Sequence, residues 1–331
     1  MIETHNLEIH MSQYQSFIGI DIGKFTFVAT LHGSKAVQEY ENTPTGIKNF
    51  LKTFKKELPT AFVVLETTGG HEMQLLLTLC DKKYKVHRAN TRKVKSFIRS
   101  FSNGAKTDTL DAKALAFYGF ERHVSLELFK PLSDNSFALF ELAQRRKDLT
   151  QMLVAEKNRA KAPKITQLVA KSYENMIKML TDQIDHITKQ MKELIASDQV
   201  LLSRQNILLT IPGIGEITAL TLLALIPELG SLSRRQIASL AGLAPRANES
   251  GKFKGYRHTA HGRDLIKPSL FLAAMAARNS NSHLKTFYNN LIARGKKKMV
   301  ALTALMRKII VIANAKLKSL NEKQTFSLQH S

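Results

Sequence analysis

Four carboxylates stand at the ends of elements in an otherwise basic chain. Asp21 closes the apolar run Phe17-Ile18-Gly19-Ile20, and Glu66 closes a second, Ala61-Phe62-Val63-Val64-Leu65. Asp108 and Asp111 flank the start of a stretch of good helix formers that begins at Thr109. A carboxylate at the end of a buried run is costly unless it is paired or holds a cation. Asp108 and Asp111 are three apart and share one helix face, where like charges destabilise, although the helix dipole favours anions in a first turn. Taken singly, Asp21 reads as a turn cap and the Asp108–Asp111 pair as N-terminal capping. Taken together, the four could bind two divalent cations and hold the attacking and leaving oxygens of a phosphodiester in line. All-oxygen ligands of this kind suit Mg²⁺.

Composition supplies the partner that such chemistry needs. The 331 residues carry 49 Lys+Arg against 27 Asp+Glu, a formal charge of +22. An excess of that size repels itself unless a polyanion neutralises it, and nucleic acid is the usual one; an anionic membrane surface is the competing partner. A hydrophobic fraction of 44% is a globular value, and the length allows two domains. Residues 1–16 are polar, with Glu3 and Glu8, and no signal peptide is expected, which points to a cytoplasmic protein. The apolar segment from Ile207 to Pro227 contains Pro212, Gly213, Gly215 and Glu216. A break there would leave backbone groups unpaired in lipid, so it is not a membrane span. The single Cys80 reads as a core thiol and permits no internal disulfide.

The acids need elements to gather them. After the first strand, Phe25–Leu31 and Ala36–Tyr40 read as two further strands of a meander. Thr43 caps a helix running to about Leu58, which Pro59 ends. The strand ending in Glu66 follows, then a helix from Met73 to Leu79, a strand over Lys85–Arg88 and the helix after Asp108. This βββ-α-β-α-β-α order resembles the α/β ribonuclease-H-like fold, in which the first strand and the strand after the first helix are neighbours. Asp21 and Glu66 would then lie side by side. Ile-Gly-Ile-Asp-Ile-Gly also resembles the first phosphate loop of actin-like sugar kinases, but the later Gly-rich loops of those enzymes are not found.

Beyond Pro131 the pattern becomes helical. One long helix spans Phe137 to Ala162, and Pro163 interrupts it. In the next, Tyr173, Ile177, Leu180, Ile184, Ile187, Met191 and Leu194 recur at spacings of four and three, a coiled-coil signal. It reads equally as a dimerisation arm or as an antiparallel hairpin packing on itself. Further on, Ile211-Pro-Gly-Ile-Gly between apolar helices looks like a helix-hairpin-helix element. Its Gly213 and Gly215 leave backbone N–H groups at a helix start to hold a phosphate; an ordinary helical corner is the alternative. Arg246, Lys252, Lys254, Arg257 and Arg263, with Lys106 before the Asp pair and Lys296 and Lys297 near the end, are the candidate nucleic-acid contacts. Within that basic segment Ser250 precedes Gly251. Alone it reads as a turn hydroxyl; as a nucleophile, small neighbours would give a phosphate access and cations would stabilise developing charge.

In order, Asp21-Ile-Gly, the strand-end Glu66, Lys106-Thr-Asp108-x-x-Asp111, Ile211-Pro-Gly-Ile-Gly and Ala241-Gly-Leu-Ala-Pro-Arg…Glu-Ser250-Gly span roughly Phe17 to Leu320. The set resembles the insertion-sequence one-ten family of transposases, also called bridge recombinases, relatives of the Piv DNA invertases. The resemblance implies a RuvC-like DEDD domain over 17–130 after an N-terminal extension of 1–16. It implies a coiled-coil arm over 131–200 and a mainly helical C-terminal serine transposase domain over 201–331. It implies Mg²⁺, in a two-metal site, on Asp21, Glu66, Asp108 and Asp111. Ser250 would attack the DNA backbone and form a phosphoserine link that conserves the phosphodiester energy. Partners implied are target and donor DNA, a structured non-coding RNA that pairs with both, and further copies of the chain as dimer and tetramer, with the acidic domain of one subunit meeting the serine of another. Two alternatives stay open: a hydrolytic junction nuclease with Ser250 incidental, and a non-enzymatic nucleic-acid-binding protein.

Overall fold

Strand β1 (Ser16–Ile22) is buried over nearly its whole length, which makes it a central strand covered on both faces. The computed structural model describes residues 13–101, 108–246, 249–250, 253–255, 258–259 and 262–329. β1 runs antiparallel to β2 (Thr26–Leu31), and β2 antiparallel to β3 (Gln38–Glu41). On its other side β1 lies parallel to β4 (Ala61–Glu66), which is parallel to β5 (Lys85–Ala89). The sheet order β3-β2-β1-β4-β5 is the ribonuclease-H-like arrangement that the element order suggests.

Among the described residues, four helices cover this sheet. α1 (Pro44–Thr53) is capped by Thr43, whose hydroxyl accepts from the Gly46 amide. It ends earlier than expected, with Phe54 buried at its C-cap, and Pro59 falls in a separate single turn, Leu58–Thr60. α2 (Met73–Asp81) lies with α1 on the face that buries Ile18, Ile20, Ile22, Phe27, Val63 and Leu65. α3 (Thr91–Phe101), a helix absent from the sequence-based element order, and α4 (Asp108–Arg122) cover the opposite face over Phe17, Phe62 and Val64.

Gly19 sets how closely α4 approaches. A Cβ built on it would stand 2.1 Å from the Ala112 carbonyl oxygen and 2.2 Å from the Ala116 amide nitrogen. Helix backbone therefore rests on strand backbone at this point, a distance only glycine permits. Further along α4, Gly119 meets Val64, Phe62 and Phe17, so the helix runs antiparallel to β1. Its first turn thus lies at the carboxyl-terminal edge of the sheet.

The second compact unit, Leu132–Ser331, is helical. α5 (Asp134–Arg159) and α6 (Gln167–Ser197) form an antiparallel hairpin, with Asn135 donating to Asp198 at the base and Arg146 donating to Thr188 farther along. The heptad positions Leu180, Ile184, Ile187 and Met191 are buried; at the last step Ile195 is buried and Leu194 only partly so. The seam is filled within the chain, the hairpin alternative of the sequence reading. Its core is continuous with that of the helices that follow, so no core boundary falls at residue 200.

Those helices are α7 (Gln199–Leu209), α8 (Glu216–Leu225) and α9 (Arg234–Leu240), then α10 (Lys267–Asn279), α11 (His283–Ala293) and α12 (Lys298–Gln329). Buried Asn314 of α12 accepts from the Gly230 amide and donates to the Leu232 carbonyl, satisfying a loop that would otherwise leave polar backbone in the core. Between α9 and α10 the described residues include four two-residue strands, β6 (Pro245–Arg246), β7 (Glu249–Ser250), β8 (Phe253–Lys254) and β9 (His258–Thr259). β6 pairs antiparallel with β9 and β7 antiparallel with β8, so that β7 and β8 form a hairpin that lies between β6 and β9 in the chain. No helix among the described residues is long and apolar enough to cross a membrane.

Substituting Gly19 with alanine is expected to force α4 away from β1 and to lower unfolding free energy by about 2–3 kcal/mol, the cost of overpacking a filled site. Urea titration of the purified chain checks this; a variant as stable as the parent would refute the backbone contact.

Candidate active site and nucleic-acid interface

The register of β1 and β4 ends at Ile20 opposite Leu65, so one step further Asp21 and Glu66 follow at the ends of adjacent parallel strands. Both belong to the alternating set that faces α3 and α4, together with Phe17, Gly19, Phe62 and Val64. Asp111 immediately precedes Ala112, the residue that rests on Gly19. Asp108 opens α4. Strand order and one glycine contact therefore bring Asp21, Glu66 and the first turn of α4, which are far apart in sequence, to one edge of one sheet. Asp21, Glu66 and Asp111 are each half-buried. Among the described residues no three Asp, Glu, His or Cys side chains close up into a metal cage. The donor chemistry of Asp21, Glu66 and Asp111, carboxylate oxygen, is of the type a hard divalent cation takes.

The loop after Glu66 is fixed by a carboxylate the sequence reading did not single out. Glu72 is fully buried. Its Oε1 accepts from Arg88 at 3.1 and 2.5 Å, and its Oε2 from the Thr68 amide and hydroxyl, each at 3.1 Å, and from the Gly70 amide at 2.9 Å. Burial alone would raise its pKa, but the Arg88 and loop hydrogen bonds outweigh it and hold the carboxyl at about 2. The Asn42 side-chain amide donates to Gly23 O at 3.1 Å and to His71 O at 3.0 Å, tying the turn after Asp21 to the loop after Glu66. On the far side of that loop the Thr67 and Thr91 hydroxyls meet at 3.0 Å.

In the second unit, Ser250 lies in β7 opposite Phe253, at the end of the hairpin ladder. The hairpin is anchored at its base. A Cβ on Gly262, whose φ is +93°, would stand 2.3 Å from the Gly242 amide nitrogen. Arg263, expected among the phosphate contacts, instead donates to both Glu228 oxygens at 2.7 and 2.5 Å and to Leu225 O at 2.7 Å. Its guanidinium is committed to holding the hairpin base. Burial raises the Glu228 pKa and the Arg263 hydrogen bonds lower it further than that, for a net downward shift. Arg246, Lys296 and Lys297 are exposed, and Lys254 lies in β8. Lys106, Lys252 and Arg257 lie outside the described residues.

The Pro-Gly-Ile-Gly turn joins α7 to α8. Gly213 has φ +89°, and a Cβ there would meet Ala273 O of α10 at 2.2 Å, so this glycine serves turn and packing together. Gly215, the α8 N-cap, is exposed with open space before it. Glu216 follows in the first turn and pairs with Lys192 of α6 at 2.7 Å.

A family model described as a transposase with the DEDD motif of the IS110 group matches residues 18–163, and a model described as "Transposase IS116/IS110/IS902 family" matches residues 205–289. The chain belongs to the IS110 family of transposases. It is 29% identical to a pilin gene-inverting protein of Moraxella lacunata over 312 residues, covering 91% of this chain and 95% of the relative. It is 25% identical to a transposase for insertion sequence element IS1328 of Yersinia enterocolitica, covering 71% of this chain and 75% of that protein. As an IS110-family transposase it is an enzyme acting on DNA, and its N-terminal unit is the DEDD domain.

Glu72 generates a pH prediction for this IS110-family domain. Its folded pKa is depressed, so its contribution to stability is present above the unfolded value of 4.5 and is lost as pH falls toward about 2. Glu72→Gln is expected to flatten that acid limb, and Glu72→Ala to cost about 2 kcal/mol by leaving Arg88 and two loop amides without their acceptor. Chemical denaturation at pH 7 and at pH 3 measures both, and an unchanged acid limb in Glu72→Gln would count against the assignment.

Proposed function

We propose that this transposase cuts and rejoins DNA strands through Ser250, assisted by the carboxylate edge of its N-terminal unit. The observation that carries the reading is the arrival of Asp21, Glu66 and the first turn of α4 at one sheet edge. The Ser250 hydroxyl oxygen would form a bond to a backbone phosphorus, its proton passing to solvent or a nearby base. The phosphorus–oxygen bond to one strand breaks and releases a DNA hydroxyl. A DNA hydroxyl attacking the phosphoserine reverses the sequence, so the joined product keeps the phosphodiester energy and ATP is not required. Mg²⁺ held by Asp21, Glu66, Asp108 and Asp111 would supply charge stabilisation to the phosphate oxygens. Arg246 and Lys254 on the serine hairpin, with Lys106, Lys252 and Arg257 by their sequence positions, would hold the backbone without reading bases. Lys296 and Lys297 are further exposed cations, and the exposed amide end of α8 at Gly215 suits a phosphate.

Guidance by a structured non-coding RNA paired with donor and target is part of the same proposal, on the strength of the family resemblance; the basic excess is compatible with it. So is assembly into dimers and a tetramer. Exposed apolar side chains along α6, among them Leu168 at 86% and Met179 at 52%, suit a contact with a second copy. A cytoplasmic location completes the reading.

Ser250→Ala is expected to abolish the covalent protein–DNA adduct and strand exchange, and Asp21→Asn to lower both by at least about a thousandfold. Denaturing gels with end-labelled DNA carrying the element junction read this out. Cleavage that persists in Ser250→Ala with no adduct would replace serine by water as nucleophile. Leu168→Asp with Met179→Asp is expected to shift sedimentation toward monomer; an unaltered profile would remove the hairpin from the assembly surface.

A further inference from the structure

We propose that α3 is a DNA-binding element, gripping the phosphate backbone of the strand that the carboxylate edge acts on. This rests on the function proposed above and adds a surface that the motif residues do not include. The helix reads Thr-Arg-Lys-Val-Lys-Ser-Phe-Ile-Arg-Ser-Phe. Val94 is buried and Phe97 and Ile98 are partly buried against the α4 side of the core. Arg92, Lys93, Lys95 and Arg99 are all exposed. Arg92, Lys95 and Arg99 are spaced three and four apart and form one stripe. No acid occurs in the helix, and none of these four cations makes an ion pair among the described residues.

Location gives the stripe its occupant. β5 is parallel to β4, so α3 starts at the same sheet edge that carries Asp21 and Glu66. The Thr91 hydroxyl meets the Thr67 hydroxyl at 3.0 Å and donates to Thr67 O at 3.3 Å. Thr67 follows Glu66 and Thr91 precedes Arg92, so the first cation of the stripe is one residue from a contact that is itself one residue from a site acid. An acidic edge repels the phosphodiester it must handle. Cations fixed beside it offset that repulsion and hold the flanking phosphates. From Arg92 to Arg99 a helix rises about 10 Å. A DNA strand advances about 3.4 Å per phosphate along its axis, so three cations match a short run of one strand.

The test uses the full chain and a fluorescein-labelled, mixed-sequence DNA duplex, with anisotropy measured between roughly 50 and 200 mM salt. Arg92→Gln/Lys95→Gln/Arg99→Gln is expected to lower the log–log salt slope by roughly two to three and to weaken binding at least about tenfold at the low-salt end. Arg92→Lys/Lys95→Arg/Arg99→Lys should restore the slope. Lys48→Gln/Lys52→Gln/Lys55→Gln removes the same charge from exposed positions in and just after α1 and should change the slope by less than about one. Single Arg99→Gln, expected to lower it by about 0.9, covers the case in which the triple variant fails to fold. Equal effects of the two Gln triples would mean net charge alone and would overturn the assignment. So would a slope that falls for an RNA of the same length and not for DNA. Asp21→Asn should keep the wild-type slope while losing strand breakage. If the wild type breaks no strands and the α3 triple still lowers the slope, the catalytic reading falls and the α3 assignment stands.

Discussion

Everything at the acidic edge depends on a helix backbone lying directly on a strand backbone at Gly19. Side-chain packing alone would keep α4 a full layer away from the sheet, at the usual spacing of packed elements. With no Cβ in between, Ala112 and Ala116 reach the strand itself, and the first turn of α4 is carried to the ends of β1 and β4. Parallel pairing of β1 with β4 does the rest, because it places two strand-end carboxylates side by side without any loop having to aim them. The acids inherit their positions from main-chain geometry, the least deformable part of a fold.

Around that core the molecule uses saturated polar contacts to fix what main-chain geometry leaves loose. Glu72 with Arg88 holds the loop after Glu66, and Asn42 joins it to the turn after Asp21. In the second unit Arg263 with Glu228 and the Gly262–Gly242 contact hold the base of the serine hairpin. In each place an arginine that looks like a nucleic-acid contact by type is bound to a carboxylate that looks incidental by position. In both units the loops beside the candidate residues thus rest on charge pairs.

Legibility in the sequence followed the range of the interactions. The sheet was readable because apolar runs of strand length, each ended by turn residues, carry their own signal; Asp21 and Glu66 were readable as acids at the ends of those runs. The heptad seam of α6 was equally plain, though nothing in its spacing told a partner copy from α5. Gly19 was not readable, because its need comes from a helix about ninety residues away. Glu72 was passed over and Arg263 misassigned for the same reason: the charged partners lie 16 and 35 residues off. Among the described residues the strands around Ser250 are two residues long, too short for an alternating pattern to stand out. α3 did carry an amphipathic repeat at Val94, Phe97 and Ile98, hidden beneath its cations.

The complete saturation of Glu72 sets it apart from the other acids near the edge. Each of its oxygens already accepts two or more donors, so no lone pair is left pointing outward for an incoming ion. Paired with Arg88, it is electrically silent at a distance. Glu72 therefore sits within a few residues of the acidic edge without adding a free carboxylate to it or deepening the negative potential there.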